Sequence, residues 1–346
     1  MLGVVPFSDE GHPPMGETIG TELDGRLFTD LSTLTPENPV TATDKFFIRT
    51  RASKLLDASK PWTIHVAGLV EKPISILAEA LAKKARPMGV HLMECSGNTR
   101  SAHFGMMSIA AWDGVPLEEL LQMVKPKVSA FRVAVSGFDH YKEESMTSEP
   151  GASWILTPDQ LFSSKAFLAT KMNSQPLSED HGAPVRLMVP GWYGCVCVKW
   201  VNQIELVSED APATSQMLEY ASRTMQAGVP ALARDYRPAI IDPAAMATRI
   251  EKRLVGGRIQ YRIAGIQWGG IVPAEAVEIR FDPADRFLPV ENLPSAPGNN
   301  WHFWRYEWSP PGTGKFTIRL RLNAPGIAAR RLDSGYYDRA VDIAEI

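Results

Sequence analysis

The apolar run Val90-His91-Leu92-Met93 ends on Glu94-Cys95 and is followed at once by the turn formers Ser96-Gly97-Asn98, with Arg100 just beyond. A thiol at the exit of a buried strand candidate is presented as well as packed, because strand-end loops are where a rigid scaffold offers reactive side chains. Three readings are open. As a buried small hydrophobe the cysteine would do no chemistry. As a nucleophile it needs a base. His91 lies four residues back, on the same strand face but roughly 13 Å away, and nothing in the spacing brings His103 to it. As a metal ligand, soft thiolate suits a soft or high-valent centre. One cysteine cannot hold such a metal, so a cofactor would have to bring the remaining ligands.

A second stretch offers anion chemistry. His181-Gly182-Ala183-Pro184-Val185-Arg186, then Val189-Pro190-Gly191-Trp192-Tyr193-Gly194 and Val198-Lys199-Trp200, set His, Arg and Lys at strand ends around a glycine-rich bend. Cations beside exposed backbone amides form a phosphate cradle; the alternative is a solvated loop with incidental charges. Of the three cysteines, Cys195 and Cys197 are two apart and share a face if extended. They read as small buried side chains: too few for a structural zinc site, and not a disulfide framework.

The elements that must position these groups read as α+β. Strand candidates are 62–66, 90–94, 131–136, 184–189 and 198–207, with short helices over 75–84 and 116–124. In the second helix Leu117, Leu120, Leu121 and Val124 share a face, and Pro116 suits a first helical position. From about Arg249 the period becomes two: Ile259, Tyr261 and Ile263, then Val277, Ile279 and Phe281, then Phe316, Ile318, Leu320 and Leu322 alternate with polar residues. Such strands bury one face each and pack as an antiparallel sandwich. The boundary falls between residues 248 and 249, with 208–248 an irregular connection. The 346 residues suit two such units.

Composition narrows the partners. A net charge of −3, with basic residues scattered, excludes a nonspecific nucleic-acid or acidic-lipid binder. No apolar run reaches the ~18 residues of a membrane span. Met1 to Thr21 is polar and rich in Gly and Pro, with no signal-peptide core. That leaves the compartment open between the cytoplasm and, with a leader removed, the periplasm.

With both stretches in view, the sequence resembles the sulfite oxidase family of molybdenum-pterin enzymes. The matching blocks are CSGNTR from Cys95, HGAPVRLMVPGWYGCVCVKW from His181, FFIRT from Phe46 to Thr50, and Met172-Asn173 with Gln175-Pro176-Leu177. They keep the family's order from about residue 45 to 207, and the later strands look like its immunoglobulin-like dimerisation domain. The resemblance implies molybdenum–molybdopterin as cofactor, with Cys95 as the protein thiolate on the metal and the pterin dithiolene supplying the other sulfurs. It implies a β-rich molybdopterin-binding domain over 1–248 and an immunoglobulin-like β-sandwich over 249–346.

By the same resemblance, Phe47, Arg49, Arg51, Asp139, His181, Arg186, Cys197, Val198 and Lys199 contact the cofactor, His181 and Arg186 holding its terminal phosphate. Arg49, Arg100 and Arg305 bind the oxyanion substrate, and Tyr220 stands for the family's pocket tyrosine. Arg51 replaces a usual histidine; Cys197 and Val196 stand where animal enzymes have histidine and arginine. The stretch from Cys95 to Gly105 is about a dozen residues shorter than in animal sulfite oxidases, a difference that bears on substrate and leaves His103 and Phe104 as candidates to fill that space. The implied reaction is oxidation of sulfite to sulfate by a homodimer. The chain has no CxxCH haem-attachment motif, so electrons would pass to a separate acceptor such as cytochrome c. The alternatives are reduction of an S-oxide, an N-oxide or nitrate on the same cofactor, or a metal-free binding module.

Overall fold

A computed structural model describes residues 1–8, 10–57, 59–146, 148–270, 276–294, 301–323 and 328–346. The first unit holds two five-stranded sheets. One runs Gln175–Pro176, Phe167–Met172, Met107–Pro116, Arg86–Glu94, with Arg186–Met188 also on Phe167–Met172. The other runs Ile74–Leu77, Thr63–Gly68, Val201–Val207, Arg132–Gly137, Ser153–Leu156. Val201–Val207 is parallel to Thr63–Gly68 and antiparallel to Arg132–Gly137.

The second unit is a β-sandwich. Its five-stranded sheet orders Gly3–Val4, Ala244–Val255, Arg258–Trp268, Trp301–Trp308, Glu291–Asn292. Its four-stranded sheet orders Leu288–Pro289, Val277–Arg280, Gly314–Leu322, Arg339–Ile343. The faces meet through aromatics: Trp308 of the first sheet stacks on Phe281 at 4.2 Å and meets Phe316 edge-on at 5.1 Å. The alternation from Tyr261 to Leu320 thus becomes two packed faces. Among the described residues, no helix is long and apolar enough to cross a membrane.

Two readings change. The 75–84 segment is helical only over Ala78–Ala82. Ile74–Leu77 pairs with Thr63–Val66 instead, because alternating Ile74 and Ile76 pack against the core as a strand, and tertiary packing outweighs local helix propensity. Pro116 caps the second helix, which begins at Leu117 and buries the expected apolar face. The sandwich also begins earlier than residue 249. Its Ala244–Val255 strand crosses that point and takes Gly3–Val4 as its edge neighbour, so the first residues of the chain join the last unit.

Candidate active site

Cys95 follows the last residue of Arg86–Glu94, whose register sets Glu94 opposite Met107. The connecting loop is held by its own polar groups. Cys95 N–H donates to the Met106 carbonyl at 2.9 Å, Asn98 N–H to the Cys95 carbonyl at 3.0 Å, and Met106 N–H to Asn98 Oδ1 at 3.0 Å. The Gly97 amide donates to Cys95 Sγ at 3.4 Å, a contact that favours thiolate. Burial above all pushes the free thiol up, against the pull of Arg49 and the Gly97 amide. Metal binding displaces that proton.

Cys95 opens on a cleft bounded by Phe47, Arg49, His181, Arg186, Cys197, Val198, Lys199 and Tyr220. Segments 47–50, 180–186 and 194–200 therefore converge as the sequence blocks require. Arg186 is buried, donates to the carbonyls of His181 and Cys197 at 3.1 Å each, and lies over Trp112. Desolvation pushes it down to about 10, so it stays cationic at neutral pH. Lys199 donates to the carbonyls of Thr50 and Asp180 and is held well below the usual lysine range by burial and by Arg186. Gly182 lies between them: at φ +99° it turns so tightly that a Cβ there would come within 2.9 Å of the Lys199 Cβ.

These residues fit an anionic, partly buried cofactor. The wall carries positive charge whose protein partners are neutral carbonyls. Arg186 Nε and Arg49 Nη1 are buried with no hydrogen-bond partner among the described residues, the sort of orphaned donor a bound anion satisfies.

His181 is placed differently from its expected role. Nε2 lies 3.1 Å from the Phe46 carbonyl and Nδ1 2.8 Å from the Ser178 hydroxyl. A carbonyl can only accept, so Nε2 carries the proton and Nδ1 accepts. Burial pushes this imidazole down to about 4. It is neutral, with both nitrogens engaged by protein, and it orders the loop that Arg186 grips.

Four other expected residues stand off the cleft wall. Arg51 pairs with Asp180 at 2.9 Å and fixes a segment that does line the cleft. Asp139 is half-buried in the loop after Arg132–Gly137, and Tyr141, two residues on, reaches the cleft instead. Arg100 turns away on the 3-10 turn Arg100–Ala102, with Nη2 3.5 Å from the Gly335 carbonyl of the second unit. Arg305 lies on Trp301–Trp308 in a bidentate pair with Glu291 at 2.6 and 2.7 Å. Its strand's hydrogen-bond partners are Arg258–Trp268 and Glu291–Asn292, which keeps it at the sandwich surface. Neither His91 nor His103 lines the cleft.

The cations beside Cys95 come from elsewhere. A second opening shares Arg49 with the cleft and is bordered by Ser96, Gly97, Arg26, Arg223, Arg330 and Arg331. A Cβ placed on Gly97 would find Arg223 Nη1 at 3.6 Å and Cys95 Sγ at 3.8 Å, so guanidinium and thiol flank one bare glycine. Arg331 Nη2 donates to the carbonyls of Ser96 and Arg223 at 2.7 Å each. Arg26 supports the group by donating to the Arg49 carbonyl at 2.6 Å, while Arg330 is tied to Asp242 at 2.5 Å. Tyr220 ends the helix Ser215–Tyr220, which Thr214 caps, and Arg223 lies 5.1 Å over its ring. Burial pushes its phenol well up, so it keeps its proton and can donate. Arg223, three residues after Tyr220, was detectable as its neighbour on the next helical turn; Arg26 and Arg331 carry no local signal.

Residues 52–215 match the oxidoreductase molybdopterin binding domain. The chain is similar to the NADPH nitrate reductase of Beauveria bassiana, at 32% identity over 62% of this chain and 26% of that one. It is similar to the catalytic subunit of the protein-methionine-sulfoxide reductase of Xanthomonas axonopodis pv. citri, at 27% over 74% of this chain and 78% of that one. It is similar to the sulfite oxidase of Arabidopsis thaliana, at 25% over 52% of this chain and 51% of that one. The chain thus spans about a quarter of the nitrate reductase and half of the sulfite oxidase. In fold it is similar to the sulfane dehydrogenase SoxCD from Paracoccus pantotrophus, with TM-score 0.68 and 18% identity over 94% of this chain and 81% of that one. Domain, relatives and fold agree with the cysteine-centred, cation-walled cleft and together support the sulfite oxidase family of molybdenum-pterin oxidoreductases: residues 52–215 are a molybdopterin binding domain, and its cofactor is molybdenum–molybdopterin.

Proposed function

We propose that this protein oxidises sulfite to sulfate and passes the two electrons to a separate acceptor of the cytochrome c kind. The balance is sulfite plus water giving sulfate, two protons and two electrons. The observation that carries the reading is the arginine-bordered opening beside Cys95, where Arg49, Arg223 and Arg331 meet from three distant stretches. Sulfite is largely dianionic near neutral pH, and a guanidinium at 4 Å in a medium of effective dielectric near 20 attracts each unit of charge by up to ~4 kcal/mol before desolvation. Guanidinium forks also suit oxyanions geometrically.

In this reading Cys95 ligates the metal, and Arg186 and Lys199 hold the anionic end of the cofactor, with His181 ordering their loop. Bound there, molybdenum–molybdopterin supplies the two-electron redox change. The chain's own residues do the rest. Arg49, Arg223 and Arg331 draw in and orient the oxyanion, and protonated Tyr220, which lines the cleft together with Arg49, is a hydrogen-bond donor on the cofactor side.

A second reading, reduction of an S-oxide, is favoured by the similarity to the methionine-sulfoxide reductase subunit, which runs over most of both chains. Steady-state assays on molybdenum-loaded protein separate the two. Sulfite turnover with ferricytochrome c is expected, with little oxidation of a reduced viologen by methionine sulfoxide or nitrate. The reverse pattern would replace the first reading with the second.

A further inference from the structure

The loop after Cys95 is fastened from two sides. Its own unit fixes Cys95 and Asn98: Cys95 N–H donates to the Met106 carbonyl, Asn98 N–H to the Cys95 carbonyl, and Met106 N–H to Asn98 Oδ1. The Ser96–Gly97 peptide between them is held from the second unit. Buried Arg331 donates through Nη2 to the Ser96 carbonyl at 2.7 Å and, from the same nitrogen, to the Arg223 carbonyl at 2.7 Å. On the same turn, the Tyr336 hydroxyl donates to the Asn98 carbonyl, and its ring lies 5.3 Å from the Arg331 guanidinium. The segment from Arg331 to Tyr336 thus grips the carbonyls on both sides of Gly97.

A peptide unit is planar, and Ser96–Gly97 is trans. Its C=O and N–H therefore point in opposite directions, and whatever fixes the carbonyl also fixes the amide. The carbonyl faces Arg331, and the amide donates to Cys95 Sγ at 3.4 Å. A guanidinium on the carbonyl also polarises the peptide, which makes its N–H a stronger donor. Hydrogen bonds to a metal-bound thiolate withdraw electron density from the sulfur and raise the reduction potential of the metal.

We infer that Arg331 is a positioning residue for the metal ligand: with Tyr336 beside it, it orients and polarises the Ser96–Gly97 peptide so that the Gly97 amide hydrogen-bonds the Cys95 sulfur. This role is additional to drawing in the oxyanion, and it rests on the reading of Cys95 as the protein ligand of molybdenum. It ties the redox potential of the site to the contact between the two units. Arg223 supplies a control. Its Nη1 lies 3.6 Å from where a Cβ on Gly97 would be, so Arg223→Gln removes one positive charge from the same place. The backbone carbonyl of residue 223 and the Arg331 contact with Ser96 are kept.

The test compares molybdenum-loaded wild type, Arg331→Gln, Arg223→Gln, Tyr336→Phe and Cys95→Ser by resonance Raman spectroscopy in light and heavy water and by redox titration of the metal. In wild type, the metal–sulfur stretch that Cys95→Ser loses should shift on exchange into heavy water, because the Gly97 N–H is on that sulfur. Arg331→Gln should lose most of this isotope shift and show a lower metal potential than Arg223→Gln, which should keep the shift. A purely structural role for Arg331 would lower the melting temperature and leave both readings alone. Wild-type isotope shift and potential in Arg331→Gln therefore overturn the inference. So does an equal fall in potential in the two arginine variants with the isotope shift kept, which is the effect of charge alone. If Arg331→Gln does not fold, Tyr336→Phe, which changes no charge, carries the test: a reduced isotope shift upholds the inference and an unchanged one overturns it. A cysteine band with no isotope shift in wild type overturns the inference alone. Identical metal–sulfur spectra in Cys95→Ser and wild type overturn the ligand reading and the inference with it.

Discussion

Two cationic walls meet at Cys95, and they are built on opposite plans. The inner wall, Arg186 and Lys199 with His181, comes from one stretch of about twenty residues and gives its donors to carbonyls of that stretch or of its neighbour at 46–50. The outer wall, Arg49, Arg223 and Arg331, draws on the whole length of the chain and on both units. In the inner wall, burial holds all three groups below their ordinary pKa values: Arg186 stays a desolvated cation suited to a resident anion, while His181 is kept neutral and orders the loop. The outer wall is more open, as a site that must exchange a small anion requires. The contrast suggests that cofactor retention is a property of one local motif, whereas substrate affinity depends on how the two units dock.

The largest expected effect falls where the walls meet. Cys95→Ser should abolish turnover while fold and pterin content remain near wild type, because a hydroxyl is a much poorer ligand than thiolate for a soft or high-valent metal. Pterin released on denaturation, metal content and steady-state rate check it, and an active serine variant would remove Cys95 from the metal. Next, Arg331→Gln and Arg223→Gln should raise the sulfite KM and lower kcat/KM more than tenfold at normal molybdenum content. Losing one desolvated, hydrogen-bonded charge partner costs ~2–5 kcal/mol. Arg186→Ala should do the converse, lowering cofactor occupancy by removing a charge-assisted contact of ~1.5–3 kcal/mol, with the remaining loaded fraction keeping a normal sulfite KM. If the outer-wall variants lose molybdenum and Arg186→Ala keeps it, the division between the walls is wrong.

The two walls differ equally in how far they can be read from sequence. His181, Arg186 and Lys199 sit inside one contiguous block with characteristic Gly and Pro spacing, so position along the chain stands in for position in space. The sandwich was legible for the same reason, since strict alternation from Ile259 to Leu322 is a local signal. The outer wall has no such signal. Residues 26 and 223 are neighbours only through the fold of the first unit, residue 331 joins them only when the sandwich docks on it, and Arg331 and Arg26 sit in stretches of ordinary composition. Arg305 shows the opposite error: its aromatic setting in WHFWRYEW suggests a site, yet strand pairing spends the guanidinium on Glu291. Arg51 stands one residue and Asp139 two residues from positions that line the cleft, Thr50 and Tyr141, a precision that motif matching alone does not supply.

A smaller effect separates the walls by pH. His181 is pushed down to about 4 in the folded protein, against an ordinary value of 6.5. Above pH 6.5 neither the folded nor the unfolded chain protonates it. Between 6.5 and about 4 the unfolded chain takes up a proton that the folded chain refuses, so stability falls as pH falls through that window, by on the order of 2 kcal/mol. Urea unfolding at pH 7 and pH 4.5 reads the difference. His181→Gln, which can still meet Ser178 and Phe46 but cannot titrate, should be less sensitive across the same interval. Equal pH dependence in the two proteins would mean that His181 is solvated or shares its titration with another group.

The smallest expected effect is the most direct check on which arginines form the outer wall. Arg305→Gln removes a cation that resemblance assigns to the substrate and that the structure places on the sandwich surface, paired with Glu291 across Trp301–Trp308 and Glu291–Asn292. An ion pair this exposed is screened by water and salt. The substitution should therefore leave sulfite KM, kcat and molybdenum content within error of wild type, at low and at high ionic strength alike. The contrast with Arg331→Gln is the informative quantity, because both residues belong to the second unit and only one borders the opening beside Cys95. A sulfite KM raised tenfold in Arg305→Gln and unchanged in Arg331→Gln would mean that the sandwich docks differently when the site is loaded. The outer wall would then have to be redrawn around residue 305.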